Sequence, residues 1–240
     1  GTITDETGAS LTVTGLTSLN TVDDSLITLD ATNSLATLSF DGGLVTIIEA
    51  DGVELTGDSS ASSLFLTLNG GSLTDSTTSN LVVSGNSNLN TDSAVAITLD
   101  GSNDFQGTLS IAAGGTGNVV INDDNSLKLA DGTVAKNLTI TAAGDLTQET
   151  TSGFVVTGTT SLDVTAGTDS DITLLGGTND FVGAVTILAT DADSVVSISD
   201  ANDLLISSLG DLNVGAITAT TGTLSITSST GSINDATDDN

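Results

Sequence analysis

The residues of this chain best suited to chemistry are clustered carboxylates and amides. Asp100, Asn103 and Asp104 sit close together, and Asn179 and Asp180 stand in a matching phrase further on. Hard cations take carboxylate and amide oxygens, so calcium held between neighbouring coils is one reading. The other is that these residues make turns and stack as a hydrogen-bonded ladder, with Phe105 and Phe181 plugging the core. The second is favoured, and no catalytic, cofactor-binding or metal-binding residue is assigned. The looser acidic pairs read as solvated turns: Asp23 with Asp24, Asp123 with Asp124, Asp191 with Asp193, and Asp238 with Asp239. Paired carboxylates can in principle do glycoside chemistry. Here no His, Arg, Cys or Tyr is on hand as base, clamp or nucleophile. No unique constellation interrupts the chain, so it is expected not to be an enzyme.

The other chemical candidates have blander readings. Lys128 and Lys136 are the only basic side chains. A cross-link to Asn or Asp is conceivable, but both lie in one stretch, and a surface role is favoured. Phe40, Phe65, Phe105, Phe154 and Phe181 are the only aromatics, and core packing is favoured over ligand stacking. Thr-x-Thr pairs (Thr2/Thr4, Thr12/Thr14, Thr139/Thr141) do not recur at every coil, as an ice-binding lattice requires. Asn137-Leu138-Thr139 is the only glycosylation sequon and reads as incidental.

Charge narrows the partners. The net charge is −29, from 31 acidic residues against two basic ones. Nucleic-acid affinity comes largely from Lys and Arg displacing counterions, so that role is excluded. Anionic membranes are excluded on the same ground. The expected partners are neighbouring coils or copies along a fibre axis, with host or environmental surface ligands. Cations suit the charge, which also keeps a long fibre soluble. There is no Cys, hence no disulfide or thiolate metal site, and no Pro to interrupt backbone ladders. No run of about 18 apolar residues occurs, so no membrane insertion is expected.

The elements that must position these residues are short strands. Candidates at 97–99, 109–111, 119–121, 127–129 and 138–141 recur about every ten residues. Leu138-Thr139-Ile140-Thr141 alternates apolar and hydroxyl residues, which puts Leu and Ile on one face and Thr on the other. Gly, Asn, Asp and Ser clusters separate the strands and supply turns. No window carries a helical apolar stripe.

The strands are organised by a long repeat. GTITDETGASLTVTG at 1–15 returns as GSLTDSTTSNLVVSG at 71–85 and as GDLTQETTSGFVVTG at 144–158. A fourth copy, GSINDATDDN, starts at 231. The expected units are 1–70, 71–143, 144–230 and the start of a fourth at 231–240, in one continuous solenoid. Such a unit is too long for a propeller blade and too short for a sandwich. About three coils each of some 20–25 residues make it an all-β parallel β-helix, its coils about 4.8 Å apart. About ten coils would give a rod on the order of 50 Å, with sticky edges only at its two ends. On this reading the chain is three links of something longer. The third unit is longer than the second, and the surplus around 215–229 is either a loop or part of an additional coil.

Two phrases carry a resemblance. AITLDGSNDFQGTLSI at 96–111 matches DITLLGGTNDFVGAVTI at 171–187. With NLTITAAGDLTQ at 137–148, LTVTG at 11–15 and Asp200-Ala201-Asn202-Asp203-Leu204, the chain resembles the repeat region of filamentous-haemagglutinin-like adhesins. These are very large bacterial surface proteins exported by two-partner secretion or related routes. The resemblance implies a right-handed β-helix, an extracellular location at the bacterial surface and a stalk role. Self-assembly into a filament and a carbohydrate-active β-helix are the alternatives. GGTND at 176–180 resembles calcium-binding β-roll repeats without their nine-residue period. The first unit departs from the pattern, with Ala31-Thr32-Asn33-Ser34-Leu35 where the others carry an Asn-Asp-Phe run.

Overall fold

Period-two alternation sets the architecture. Leu138-Thr139-Ile140 buries Leu138 and Ile140 and leaves Thr139 half-buried, and neighbouring strands follow suit. The structure is a computed structural model describing residues 1–6, 8–91, 95–189, 191, 193–208, 211–219, 222–228 and 232–235. The described strands form one sheet of 25, and every pairing between them is parallel. Among the described residues there is no helix, so none is long and apolar enough to cross a membrane. The expected all-β parallel solenoid is therefore the fold.

One ladder can be followed almost end to end. It runs Leu16, Thr37, Glu54, Thr74, Thr98, Val120, Thr139, Ser161, Thr186, Ser207 and Thr227, each residue the partner of the one before. That makes about ten coils. Partners are as few as 17 residues apart (Thr37 and Glu54) and as many as 26 (Leu146 and Ile172). Thr or Ser fills all but three rungs of this ladder. The hydroxyl residues therefore do recur almost coil by coil, contrary to the impression left by the scattered Thr-x-Thr pairs. Spacing between like residues varies too much along the chain for the register to be read from it.

Inside, one core runs the length of the rod. Phe40, Phe105, Phe154 and Phe181 are fully buried among Leu, Ile and Val. Phe65 departs from the expectation of core packing, being 45 % exposed. It lies between buried Leu64 and Leu66, and strand alternation cannot bury three successive side chains.

The corner of the coil is rebuilt at Leu127–Val134. Leu109 pairs with Leu129, but Ile111 pairs with Gly132, so this strand carries an extra residue, a β-bulge. Beyond it the single strand gives way to two, Leu146–Gln148 and Phe154–Val156. Gly132 is required there, because a Cβ would lie 2.2 Å from the Phe154 ring.

The repeat does not equal a whole number of coils. The ladder of Leu73 continues through Ile97, Val119 and Leu138 to Thr160. Leu146, the sequence equivalent of Leu73, falls between Leu138 and Thr160, one strand further round. The second unit is thus three coils plus one face. Leu146 then pairs with Ile172, Ile172 with Val196, Val196 with Val214 and Val214 with Asp235, which is four coils. The surplus of the third unit is therefore part of an additional coil, built by Leu212–Ala219 and Leu224–Ser228.

Candidate functional site: buried clamps between coils

Each unit carries the same three polar positions, all buried except for the half-buried Asp5. The first is Asp5, Asp75 or Gln148, in the strand that opens the unit. The second is Asn33, Asn103 or Asn179, one coil on. The third is Glu49, Asp123 or Asp200, one coil further. The Asn side chains and those of Glu49, Asp123 and Asp200 are buried to 1 % exposure or less. Strand alternation explains the placement. In Ser102–Phe105 the inward positions are Asn103 and Phe105, so the amide enters the core with the ring.

The geometry is repeated with the residues. Asn103 Nδ2 donates to Asp75 Oδ2 at 3.0 Å, and Asn33 Nδ2 to Asp5 Oδ2 at 3.4 Å. Asn179 Nδ2 donates to Gln148 Oε1 at 2.9 Å. The first-position oxygens also take backbone N–H groups from the turn ahead of the Asn. Asp75 accepts from Asp100 and Gly101, Asp5 from Asp30 and Ala31, and Gln148 from Gly176. The third position accepts the N–H two residues beyond the Asn. Leu35 donates to Glu49 Oε2 at 2.9 Å, Phe105 to Asp123 Oδ2 at 2.9 Å, and Phe181 to Asp200 Oδ2 at 2.6 Å. Asn33 and Asn179 also accept from the coil behind, through the N–H of Leu11 and of Phe154. The buried Asn and the N–H two residues beyond it together tie three successive coils.

Electrostatics separates the carboxylates. Burial would raise Asp5, but the N–H of Ala31, the Asn33 amide and the N–H of Asp30 hold it below the usual carboxylate range. Burial, with a smaller push from Asp51, lifts Glu49 to about 7 against the one N–H from Leu35. Burial lifts Asp123 to about 6, against N–H bonds from Phe105 and Asn125 and helped by the charges of Asp104 and Asp124.

The acids and amides singled out in the sequence fall at different depths. Asp100 is exposed and Asp104 half-buried beside Gln106, while Asn103 points into the core. Among the described residues no three acidic side chains gather closely enough to hold a metal. Asp123 is not a solvated turn residue. It is the third inward position of Val119–Asp123, after Val119 and Ile121, and it clamps Phe105. Asp23 and Asp24 are exposed, with left-handed φ of 59° and 50°. Asp191 accepts the N–H of Asp169 at 3.1 Å, and Asp193 is exposed. Asp238 and Asp239 lie outside the described residues. Lys128 pairs with Glu149 across 3.6 Å at the surface.

The outer acids and amides have a related task. Asp145 Oδ1 accepts the N–H of Asp171, and Asp171 Oδ1 accepts that of Val195. Asp131 does the same for Gly153, Asn137 for Thr159 and Asp211 for Ser232. Each reaches the start of a strand one coil away. The first unit, whose Asn33 run looked divergent, turns out to carry the full clamp. Aligning the copies on their opening Gly would have found Asp5, Asp75 and Gln148, because they share one position in the phrase.

A family model described as repeats of unknown function (DUF5649) matches residues 1–39, 42–112 and 116–188. No curated protein and no solved structure matches the chain.

Proposed function

The chain belongs to the family of repeats of unknown function (DUF5649), and from that premise we propose a structural, non-catalytic role as a stalk segment. The stalk is that of a large extracellular bacterial adhesin or cell-surface fibre. The observation that carries this reading is that the repeated polar residues join coil to coil instead of converging on a pocket. Polar positions kept in three copies, the first and third of them holding backbone N–H groups across coils each time, serve stiffness and register. Acidic turns on the outside keep the rod soluble at a net charge of −29.

An antiserum against the chain, applied to intact and to broken source cells, tests the reading. The expected result is surface labelling and a band far above the 23.6 kDa of this chain on a denaturing gel. Labelling confined to broken cells would overturn the extracellular role.

A second reading is a subunit that stacks end to end into a filament. Its support is that every described strand pairing is parallel, so the hydrogen-bonding edges of the ladders face along the rod axis. A native band near 24 kDa, with length growing with concentration in solution, would favour it.

A further inference from the structure

We propose that Glu49 and Asp123 are proton-held rungs, neutral in mildly acidic surroundings, so that the rod is tighter there than above neutrality. The geometry begins with burial. Glu49 is 0 % and Asp123 1 % exposed, each inside the coil and beneath the strand it clamps. Glu49 receives one donor, the Leu35 N–H on Oε2, and its other oxygen, Oε1, is buried without a partner. A charged carboxylate in that position leaves one oxygen unsolvated, whereas a carboxylic acid places a proton on it and keeps Oε2 as the acceptor. Asp123 receives two donors, Phe105 and Asn125, but is deeper than any other acid of its turn.

Among the described residues no cation compensates either group. The charge facing Glu49 is that of Asp51 beside it, with Asp5 beyond the Asn33 amide. Those facing Asp123 are Asp104 and Asp124, with Asp75 beyond the Asn103 amide. All are acidic. Both groups bind protons more tightly folded than unfolded, with folded values of about 7 and about 6. Their contribution is complete below the ordinary carboxylate range. It is lost as pH rises through about 6 for Asp123 and about 7 for Glu49.

The test is urea unfolding of the chain between pH 5 and pH 8. It is run in about 1 M sodium chloride, where the screening length of about 3 Å mutes repulsion among surface acids. The expected midpoint falls by about 1 M across that range. In the Glu49→Gln, Asp123→Asn double variant, the amides keep the acceptor oxygens and cannot titrate, and the fall flattens. A wild-type midpoint that is level or rises with pH would overturn the proposal, as would an unchanged slope in the double variant. A carboxyl-carbon NMR titration of the folded wild-type chain gives a readout independent of any variant. Only Glu6, Glu49, Glu54 and Glu149 contribute glutamate signals. One of them titrating near 7 is expected, and all four titrating near 4.5 would refute it.

Discussion

Asn179 is the polar residue whose loss the fold will feel most. Asn179→Ala removes the acceptor of the Phe154 N–H and of Gln148 Nε2, and one of the two donors to Gln148 Oε1, all of them buried. Leaving such groups unsatisfied costs about 3 kcal/mol, to be read in urea unfolding. Asp180→Ala next door, at a half-buried position, is expected within about 0.5 kcal/mol of wild type. The aromatics divide in the same way. Phe105→Ala empties the core and costs about 3–5 kcal/mol. Phe65→Ser, on the outer surface, leaves the melting temperature nearly unchanged. A calcium titration belongs here too. Exchanging calcium for chelator is expected to move the melting temperature by a few degrees, and a rise of tens of degrees with calcium would restore the cation reading of Asp100, Asn103 and Asp104.

Elements were more legible than their contacts. The strand at 97–99 was read in full, because Ile97-Thr98-Leu99 alternates cleanly between turns. The strand at 127–129 was seen only in part. The remainder of Leu127–Val134 contains Ala130, Asp131 and Gly132, which resemble a turn in sequence but form a bulge. The clamps were half visible. The Asn-Asp-Phe run singles out Asn103 and Asn179 as turn residues stacked in a hydrogen-bonded ladder or as calcium ligands, without showing that their amides enter the core. Their partners lie a coil away, and periodicity along the chain carries no information about which coil position faces which. Asp123 was misplaced for a related reason: an acid pair reads as solvent-facing unless the inward phase of its strand is carried through to its last residue. The bulge makes its own prediction. Gly132→Ala drives a methyl group into the Phe154 ring, and with both sites fully packed the expected loss is about 1–3 kcal/mol. The double variant with Phe154→Leu should recover part of it, which a comparison of thermal unfolding would show.

At the scale of the whole molecule, ten coils at about 4.8 Å predict a rod close to 50 Å long, measurable by small-angle scattering. A compact sphere of the same mass would contradict that shape. The one-face offset of the repeat has a consequence for anything that reads this surface. Because the second unit ends one face beyond where it began, the phrases at 71–85 and 144–158 look out in different directions. Identical binding molecules spaced by such units would wind around the rod like treads on a spiral stair instead of lining up on one flank. Two rods laid side by side would likewise meet with unlike faces, so close lateral crystallisation of a long array loses the matching surfaces it would need. The four-coil third unit keeps its heading, and the order in which the two kinds of unit follow one another becomes a code for which way each copy faces.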